Sequence, residues 1–351
     1  MMIKQFEKLE ESIADKIKDY QKDLNHWTFD DKHVDTWVNQ FPEDERLVVL
    51  TETNSLLKNN YFKKQAIETF FDDIWQIEDI MGADPEKYIS HIQFLNIQRK
   101  GKSQKRLLRL IEEYYLREKH TQINKINHAG VKKYIYLDDC MYTGFTLLKD
   151  IKNWIDTMNP NENTELEIIF LGLYSGNHQY IKKCLDEKCA EKNISVIFTY
   201  AHRYNNKFYK YPLDILWPQK VENDEYVDVY LNVMEEQKVR LKKGGLGFRK
   251  EPMYRGESRL FTGTENRVLF EKALLKKGAY ICSLPANGND RMKPMGYDTG
   301  ISLGFGAFFV TDYNISNNCP LAFWWGNLNC SSDTTLGKWY PLLPREANYN
   351  G

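Results

Sequence analysis

Residues 134–148 have the sequence Tyr-Ile-Tyr-Leu-Asp-Asp-Cys-Met-Tyr-Thr-Gly-Phe-Thr-Leu-Leu. An apolar run followed by helical periodicity predicts a buried strand, a short loop and then a helix. The strand delivers two adjacent carboxylates, Asp138 and Asp139, to its carboxyl end. The loop that follows contains Thr-Gly-x-Thr at 143–146, where the helix begins. This segment indicates one unit of an α/β fold, and it contains the residues with the clearest chemical meaning.

Strands and helices of the same kind alternate on both sides of this segment. Strands are predicted over 91–97, 133–137, 166–173 and 195–200, and helices over 105–115, 146–157 and 179–191. Strand, helix, strand at this spacing is typical of a central parallel sheet, which we expect to be open and doubly wound. Ligands bind such sheets at the carboxyl ends of the strands, where Asp138 and Asp139 are expected.

Two regions with other patterns flank the α/β domain, which we place at 91–218. Residues 1–90 have helical periodicity and predict a helical N-terminal region. Residues 219–351 begin with a charged helix and continue into an irregular segment rich in Gly, Asn and Trp, for which we expect some β structure. This segment either forms a hood over the carboxyl edge of the sheet or contributes to the core and turns. The residues concerned are Asn317, Asn318, Phe323, Trp324, Trp325 and Arg345.

Composition excludes several classes of protein. The 351 residues include 48 Lys and Arg and 49 Asp and Glu, a balance that argues against coating nucleic acid by bulk charge. The aromatic content of 14% argues against disorder. The sequence has no signal-peptide pattern and no apolar run near 18 residues, so we expect a cytoplasmic protein with no membrane contact. The six cysteines lack CxxC or zinc-finger spacing, and we expect reduced thiols.

The acidic pair and the loop after it suit a phosphorylated sugar. Carboxylate oxygens of Asp138 and Asp139 can accept hydrogen bonds from ribose hydroxyls. Backbone amides over 142–146 and the hydroxyls of Thr143 and Thr146 can donate to a phosphate at the start of the helix. The alternative is a strand end and helix cap that bind no ligand.

The same segment resembles the phosphoribosyl pyrophosphate motif of type I phosphoribosyltransferases. In that motif a hydrophobic strand and two acidic residues precede three variable positions and Thr-Gly-x-Thr. The resemblance implies that Asp138 and Asp139 are catalytic and bind the ribose 2′ and 3′ hydroxyls, with the cofactor Mg²⁺ nearby. It implies glycosyltransferase chemistry and a 5′-phosphate site formed by Tyr142, Thr143, Gly144, Phe145 and Thr146. Tyr142 replaces the aspartate of purine-salvage members, which argues against that reaction and leaves the acceptor open.

This family also binds pyrophosphate at a loop after an earlier strand. Here the strand predicted over 91–97 is followed by the basic segment Arg99-Lys100-Gly101-Lys102, to which we assign pyrophosphate binding. The alternatives for this segment are a solvated helix start and contact with a nucleic-acid backbone. His202 and Arg203, after the strand over 195–200, either reach the ligand or lie in a solvent-facing loop.

The layout of the whole chain resembles the phosphoribosyltransferase-like proteins of bacterial anti-phage systems, some of which are encoded beside retron reverse transcriptases. The motifs concerned lie at 37–41, 317–320 and 339–345. This resemblance implies a toxic effector held inactive by a partner, such as a reverse transcriptase with its RNA and single-stranded DNA. The alternatives are a non-catalytic nucleotide-sensing or partner-binding subunit with the same fold, and an enzyme that cleaves glycosidic bonds of nucleotides.

Overall fold

The computed structural model describes residues 2–22, 27–99, 103–124, 130–207, 212–240, 260–285 and 291–345. The chain forms two compact units, one of residues Lys64–Lys207 and one that combines Met1–Lys63 with Phe208–Gly351. These limits differ from the boundaries predicted at 90 and 218. Among the described residues, no helix combines the length and the apolar composition needed to cross a bilayer.

The N-terminal segment is helical. Its elements are α1 (Met2–Ile17), α2 (Asp31–Val38), α3 (Glu43–Asn60) and the short strand β1 (Tyr61–Phe62). Asp30 caps α2, because its Oδ1 accepts a hydrogen bond from the His33 amide at 3.0 Å. Pro42 precedes α3, whose first turn carries three acidic residues that interact favourably with the helix dipole.

The unit of Lys64–Lys207 contains the sheet. Its elements are α4 (Lys64–Gln76), α5 (Glu78–Met81), α6 (Pro85–Tyr88), β2 (Ile92–Phe94), α7 (Ser103–Glu118), β3 (Lys133–Met141), α8 (Phe145–Met158), β4 (Glu165–Tyr174), α9 (His178–Cys189) and β5 (Ser195–Tyr204). α4 belongs to this unit because it packs on α7: the Tyr115 hydroxyl donates to the Phe71 carbonyl at 3.0 Å, and the Trp75 ring lies 4.8 Å from the Tyr115 ring.

The four strands are all parallel, in the order β2-β3-β4-β5. One face of the sheet packs on α8 and α9, in a hydrophobic cluster that includes Tyr134 and Tyr136 of β3. Ile135 and Leu137, which alternate with them and point to the other face, are fully buried as well. α7 contacts β3 but has no residue in that cluster, so it covers the second face. The predicted parallel sheet with helices on both faces is confirmed.

The other unit is completed by α10 (Glu225–Arg240), α11 (Thr264–Ser283), β6 (Val310–Thr311) and α12 (Leu321–Trp324). β6 pairs in parallel with β1, and it is the one strand among the described residues after 218. The prediction of a charged helix followed by an irregular segment with some β structure agrees with α10 and β6. It overlooked α11, where Gly278 permits close packing: a Cβ there would lie 2.4 Å from the carbonyl oxygen of Pro294.

Aromatic residues form the core of this unit. Nε1 of Trp37 and Nε1 of Trp339 both donate to the carbonyl of Ala322, at 2.9 and 3.0 Å. Three residues considered for a hood, Phe323, Trp324 and Trp325, are buried here. The core alternative is therefore confirmed for these three residues. All six cysteines are free thiols, as expected.

Candidate functional site

The turn between β3 and α8 is built around Gly144. This residue precedes α8 with φ of 77° and ψ of −1°, a left-handed conformation that glycine adopts without strain. The Leu148 amide donates to the Gly144 carbonyl at 3.0 Å. The amides of the first turn therefore have no acceptor within the helix, and an anion at this end of α8 would meet N–H donors and the positive end of the helix dipole.

The side chains around this turn differ in exposure. Tyr142 and Thr143 are half-buried, while Phe145 and Thr146 are exposed. Asn177, which precedes α9, holds the turn from the neighbouring loop, because its Nδ2 donates to the Thr143 carbonyl at 3.4 Å. The predicted phosphate-binding residues thus lie together at the carboxyl edge of the sheet, with part of their surface open to a ligand.

The acidic pair lies inside β3, which continues to Met141 and does not end before Asp138. Asp138 is buried, and the Tyr136 hydroxyl lies 3.5 Å from its Oδ2. Asp139 is half-exposed. Consecutive residues of a strand point to opposite faces of a sheet, so the two carboxylates are not equivalent. The sequence did not predict this difference, since it placed both residues together after the strand.

Backbone amides hold both carboxylates. Oδ1 of Asp138 accepts from the Asp139 amide at 2.9 Å, and Oδ1 of Asp139 accepts from the Cys140 amide at 2.6 Å. Burial raises the pKa of Asp138 to about 6, although hydrogen bonds from the Ser103 hydroxyl and the Asp139 amide act in the opposite direction. Above pH 6 Asp138 is therefore mostly ionised and can accept hydrogen bonds from a ligand or from neighbouring donors.

A second buried carboxylate, Asp150 of α8, lies near Asp138. Burial raises the pKa of Asp150, and the backbone amide and the charge of Arg99 oppose this effect. The negative charge of Asp150 also contributes to the raised pKa of Asp138. Asp150 was not predicted as a site residue, because its position in an amphipathic helix suggests a solvated face.

The structure brings Gln98, the residue before the predicted pyrophosphate segment, beside the acidic pair. Nε2 of Gln98 donates to Oδ2 of Asp138 at 2.8 Å. The Arg99 guanidinium donates to Oδ1 of Asn153 on α8. The remaining predicted residues of this segment, Lys100, Gly101 and Lys102, lie outside the described residues. Gln98, which precedes the predicted segment, therefore contacts Asp138, whereas the Arg99 guanidinium contacts α8.

Stacked rings line the carboxyl edge of the sheet. The Tyr142 and Tyr174 rings lie 5.6 Å apart, those of Tyr174 and Tyr204 4.9 Å apart, and those of Tyr204 and His202 6.4 Å apart, with interplanar angles of 22°, 27° and 18°. The row joins the last residues of β4 and β5 to the turn after β3. Of these residues, the sequence indicates only Tyr142 and His202 as candidates for the site. Tyr174 and Tyr204 join them because they are paired in the register of β4 and β5.

His202 and Arg203 lie within β5, which continues to Tyr204, and both are exposed. His178, the first residue of α9, lies nearby. Its pKa is lowered by partial burial and by the charge of Arg203. His178 is therefore neutral near pH 7, while Arg203 contributes positive charge to this part of the carboxyl edge.

The expected cofactor Mg²⁺ can be tested against the residues present. Among the described residues no group of three or more His, Cys, Asp or Glu could hold a metal ion. Mg²⁺ commonly binds through one or two carboxylates together with substrate phosphates and water. The half-exposed carboxylate of Asp139 fits that second arrangement, so Asp139 suits an ion that binds together with a phosphorylated ligand.

One comparison with known proteins identifies a family for this chain. A family model described as PRTase-CE matches residues 34–345, a range that contains the whole sheet and the turn after β3. No curated protein and no solved structure matches the chain. Because the match extends over most of the sequence, the chain belongs to the PRTase-CE family and is a phosphoribosyltransferase-like protein.

Proposed function

We propose that this protein binds phosphoribosyl pyrophosphate, or another ribose phosphate, at the carboxyl end of β3 and transfers or cleaves its ribosyl group. One observation carries the proposal: an acidic pair in β3 is followed by a turn in which Gly144, at φ of 77°, opens α8. Carboxylates suit ribose hydroxyls, and the amides at the start of a helix suit a phosphate.

The two carboxylates have different roles in this proposal. Asp139, which is half-exposed, accepts hydrogen bonds from the ribose hydroxyls. Asp138, which is buried, keeps the neighbouring backbone and Gln98 in place and adds negative charge under the sugar. Asp139 would hold Mg²⁺ together with the ligand, and the ion would neutralise charge on the departing pyrophosphate. Amides over 143–146 hold the 5′-phosphate.

The ribose C1 becomes positively charged as pyrophosphate leaves, so the site works mainly by positioning and electrostatic stabilisation. Asp138 and Asp139 provide negative charge near the developing cation. The basic segment with Arg99, Lys100 and Lys102 stabilises the leaving group. Replacing both lysines with alanine should weaken phosphoribosyl pyrophosphate binding far more than ribose 5-phosphate binding, because only the former has a pyrophosphate at C1.

Calorimetry tests the proposal directly. The parent should bind phosphoribosyl pyrophosphate in the presence of Mg²⁺, and the double variant Asp138→Asn, Asp139→Asn should not. Asp156→Asn is the matched control, since it removes a charge from the exposed end of α8 away from the motif. Equal affinity of the parent and the folded double variant would contradict the proposal.

A second candidate is a binding subunit that keeps the pocket without turnover. Tyr142 favours it: the ring stacks on Tyr174 at 5.6 Å, at the position where purine-salvage members have an aspartate. A phenol with an ordinary pKa near ~10 is a poor base at neutral pH. Pyrophosphate release, measured with phosphoribosyl pyrophosphate and a panel of acceptors, separates the two candidates. A binding subunit without turnover binds the ligand but releases no pyrophosphate.

At the level of the cell, we propose that the protein is a toxic effector of an anti-phage system of the retron type and that a partner restrains it. The resemblance in chain layout supports this, as does membership of the PRTase-CE family. Purification from the native operon tests it: a reverse transcriptase with RNA and single-stranded DNA should co-elute. The Asp138→Asn, Asp139→Asn variant should lose toxicity when expressed alone.

A further inference from the structure

Two glutamines join the segment after β2 to the start of α7. Gln104 is fully buried, and its Oε1 accepts hydrogen bonds from the amides of Ile97 and Gln98, both at 2.8 Å. The Gln104 amide in turn donates to Oε1 of Gln98 at 3.3 Å. Each glutamine therefore fixes the other, and the side chain of Gln98 has little freedom to turn.

Gln98 also reaches across to β3. Its Nε2 donates to Oδ2 of Asp138 at 2.8 Å, while Oδ1 of Asp138 accepts from the Asp139 amide at 2.9 Å. Both oxygens of this carboxylate thus accept hydrogen bonds, and at 2.8 Å the contact of Gln98 with Oδ2 is shorter than that of the Tyr136 hydroxyl at 3.5 Å. Asp138 is only 7% exposed, so water cannot readily replace a lost donor, and rotation of the carboxylate would be costly.

We propose that Gln98 is a positioning residue of the ribose-phosphate site, which ties the segment after β2 to Asp138 so that the two keep one arrangement. The inference rests on the proposed function for the identity of the ligand. The hydrogen bonds from Gln98 to Asp138 and from Gln104 to Gln98 form in the chain without ligand. Gln98 acts through Asp138 and does not touch the reacting atoms. Gln104 holds the side chain of Gln98 in the position from which Gln98 reaches Asp138.

Two substitutions of Gln98 distinguish its hydrogen bond to Asp138 from its hydrogen bond with the Gln104 amide. Gln98→Met keeps the length of the side chain and removes the Nε2 donor. Gln98→Glu keeps an acceptor for the Gln104 amide but places a carboxylate oxygen against Asp138. The matched control is Gln93→Met, since Gln93 is also half-buried and lies on β2, outside the link.

The first measurement is calorimetry with ribose 5-phosphate and with phosphoribosyl pyrophosphate, both with Mg²⁺. We expect Gln98→Met to weaken both ligands roughly tenfold, and Gln98→Glu to weaken them further, while Gln93→Met binds as the parent does. Parent-like affinity in both Gln98 variants would overturn the inference. An equal loss in Gln93→Met would also overturn it, because the effect would then be general.

The second measurement needs no ligand. Urea unfolding of Gln98→Met, Asp138→Ala and the double variant forms a double-mutant cycle. We expect the double variant to unfold at a higher urea concentration than the two single changes predict when added. Additive changes would overturn the inference. If the parent binds neither ligand, the proposed function fails, and this cycle alone decides whether Gln98 holds Asp138.

Discussion

A Cβ atom on Gly144 would lie 2.7 Å from Cγ1 of Ile181, a residue of α9 that is itself fully buried. Gly144 also has φ of 77°, which side chains rarely permit. The packing of α9 therefore requires glycine at this position even when no ligand is bound. A substitution of Gly144 changes the fold and the candidate phosphate site together, so ligand binding is better tested at neighbouring residues.

We expect Gly144→Ala to destabilise the protein by about 1–3 kcal/mol through backbone strain, with a further loss from contact with Ile181. Gly130→Ala is the control, because a Cβ at Gly130 meets nothing within 4 Å. The control should change stability by less than about 0.5 kcal/mol. Urea unfolding measures both variants, and equal effects would contradict the role of Gly144 in packing.

Thr143→Val tests the phosphate site without altering the turn glycine. The change keeps the shape of the side chain and removes its hydroxyl, so ribose 5-phosphate should bind roughly 3–10-fold more weakly. The thermal shift produced by the ligand reports this loss. Thr157→Val is the control: Thr157 lies at the exposed end of α8, where its hydroxyl donates to the Asn153 carbonyl at 2.7 Å. A full ligand shift in Thr143→Val would count against a hydroxyl contact.

Asp138 should make stability depend on pH. Its pKa is raised from 3.8 to about 6 by burial, so between these values the folded state holds a proton that the unfolded state releases. The contribution of Asp138 to stability is thus greatest below pH 4 and is lost as pH rises through 6. We expect Asp138→Asn to gain stability relative to the parent over this range.

Urea unfolding at pH 4, 5, 6 and 7 measures that difference. Asp150 also has a raised pKa and acts in the same direction, so the comparison is variant against parent at each pH. Asp156→Asn, at an exposed residue of α8, should show no gain in stability relative to the parent between pH 4 and pH 7. A constant difference between Asp138→Asn and the parent would mean that the carboxyl titrates normally.

Arg267 and Glu271 form a buried pair in the other unit, with Nε and Oε1 2.9 Å apart. Arg267 also donates to the carbonyls of Leu213 and Ile215, at 2.9 and 2.6 Å. Arg267→Leu leaves the Glu271 charge buried, so we expect a loss of about 3–5 kcal/mol. Lys220→Ala, which breaks an exposed pair with Glu222, should change stability far less, because water and salt screen exposed charges. Similar losses in thermal unfolding would contradict this difference.

Tyr142→Phe keeps the ring that stacks on Tyr174, so we expect it to lower stability and ligand binding less than Tyr142→Ala does. Tyr142→Ala removes the ring and should lower the free energy of unfolding by about 1 kcal/mol or more. Pyrophosphate release by Tyr142→Phe is the informative measurement. If the parent releases pyrophosphate and this variant does not, the hydroxyl takes part in the reaction and Tyr142 is more than a stacking residue.

The strand and turn around the acidic pair could be predicted because local patterns determine them. The run of large hydrophobic and aromatic residues over 134–137 favours a buried strand, and Thr143-Gly144 favours a turn at the start of a helix. The pattern predicts a strand end at 137, whereas β3 continues to Met141. A polar residue such as Asp138 suggests that a buried strand has ended. Here hydrogen bonds from backbone amides satisfy the carboxylates, so the strand pairing continues past them.

Other features of the site depend on register between distant segments. The hydrogen bond from Gln98 to Asp138 joins residues 40 positions apart. Nothing in the sequence around either residue indicates that the two side chains meet. The ring row of Tyr142, Tyr174 and Tyr204 arises because three parallel strands end at one edge. The helix α11 was missed since Gly278 suggests a break in sequence, whereas in three dimensions it permits close packing against Pro294.

The unit made from both ends of the chain has a consequence for biosynthesis. The Tyr20 hydroxyl accepts a hydrogen bond from the Ile315 amide, a contact that spans 295 residues. At about 5–20 residues per second, a ribosome needs roughly 15–60 s to make the intervening chain. The N-terminal helices therefore leave the exit tunnel well before their apolar faces can be covered. We expect a nascent-chain chaperone to hold α1–α3 during this interval, while the segment with β2–β5 folds first.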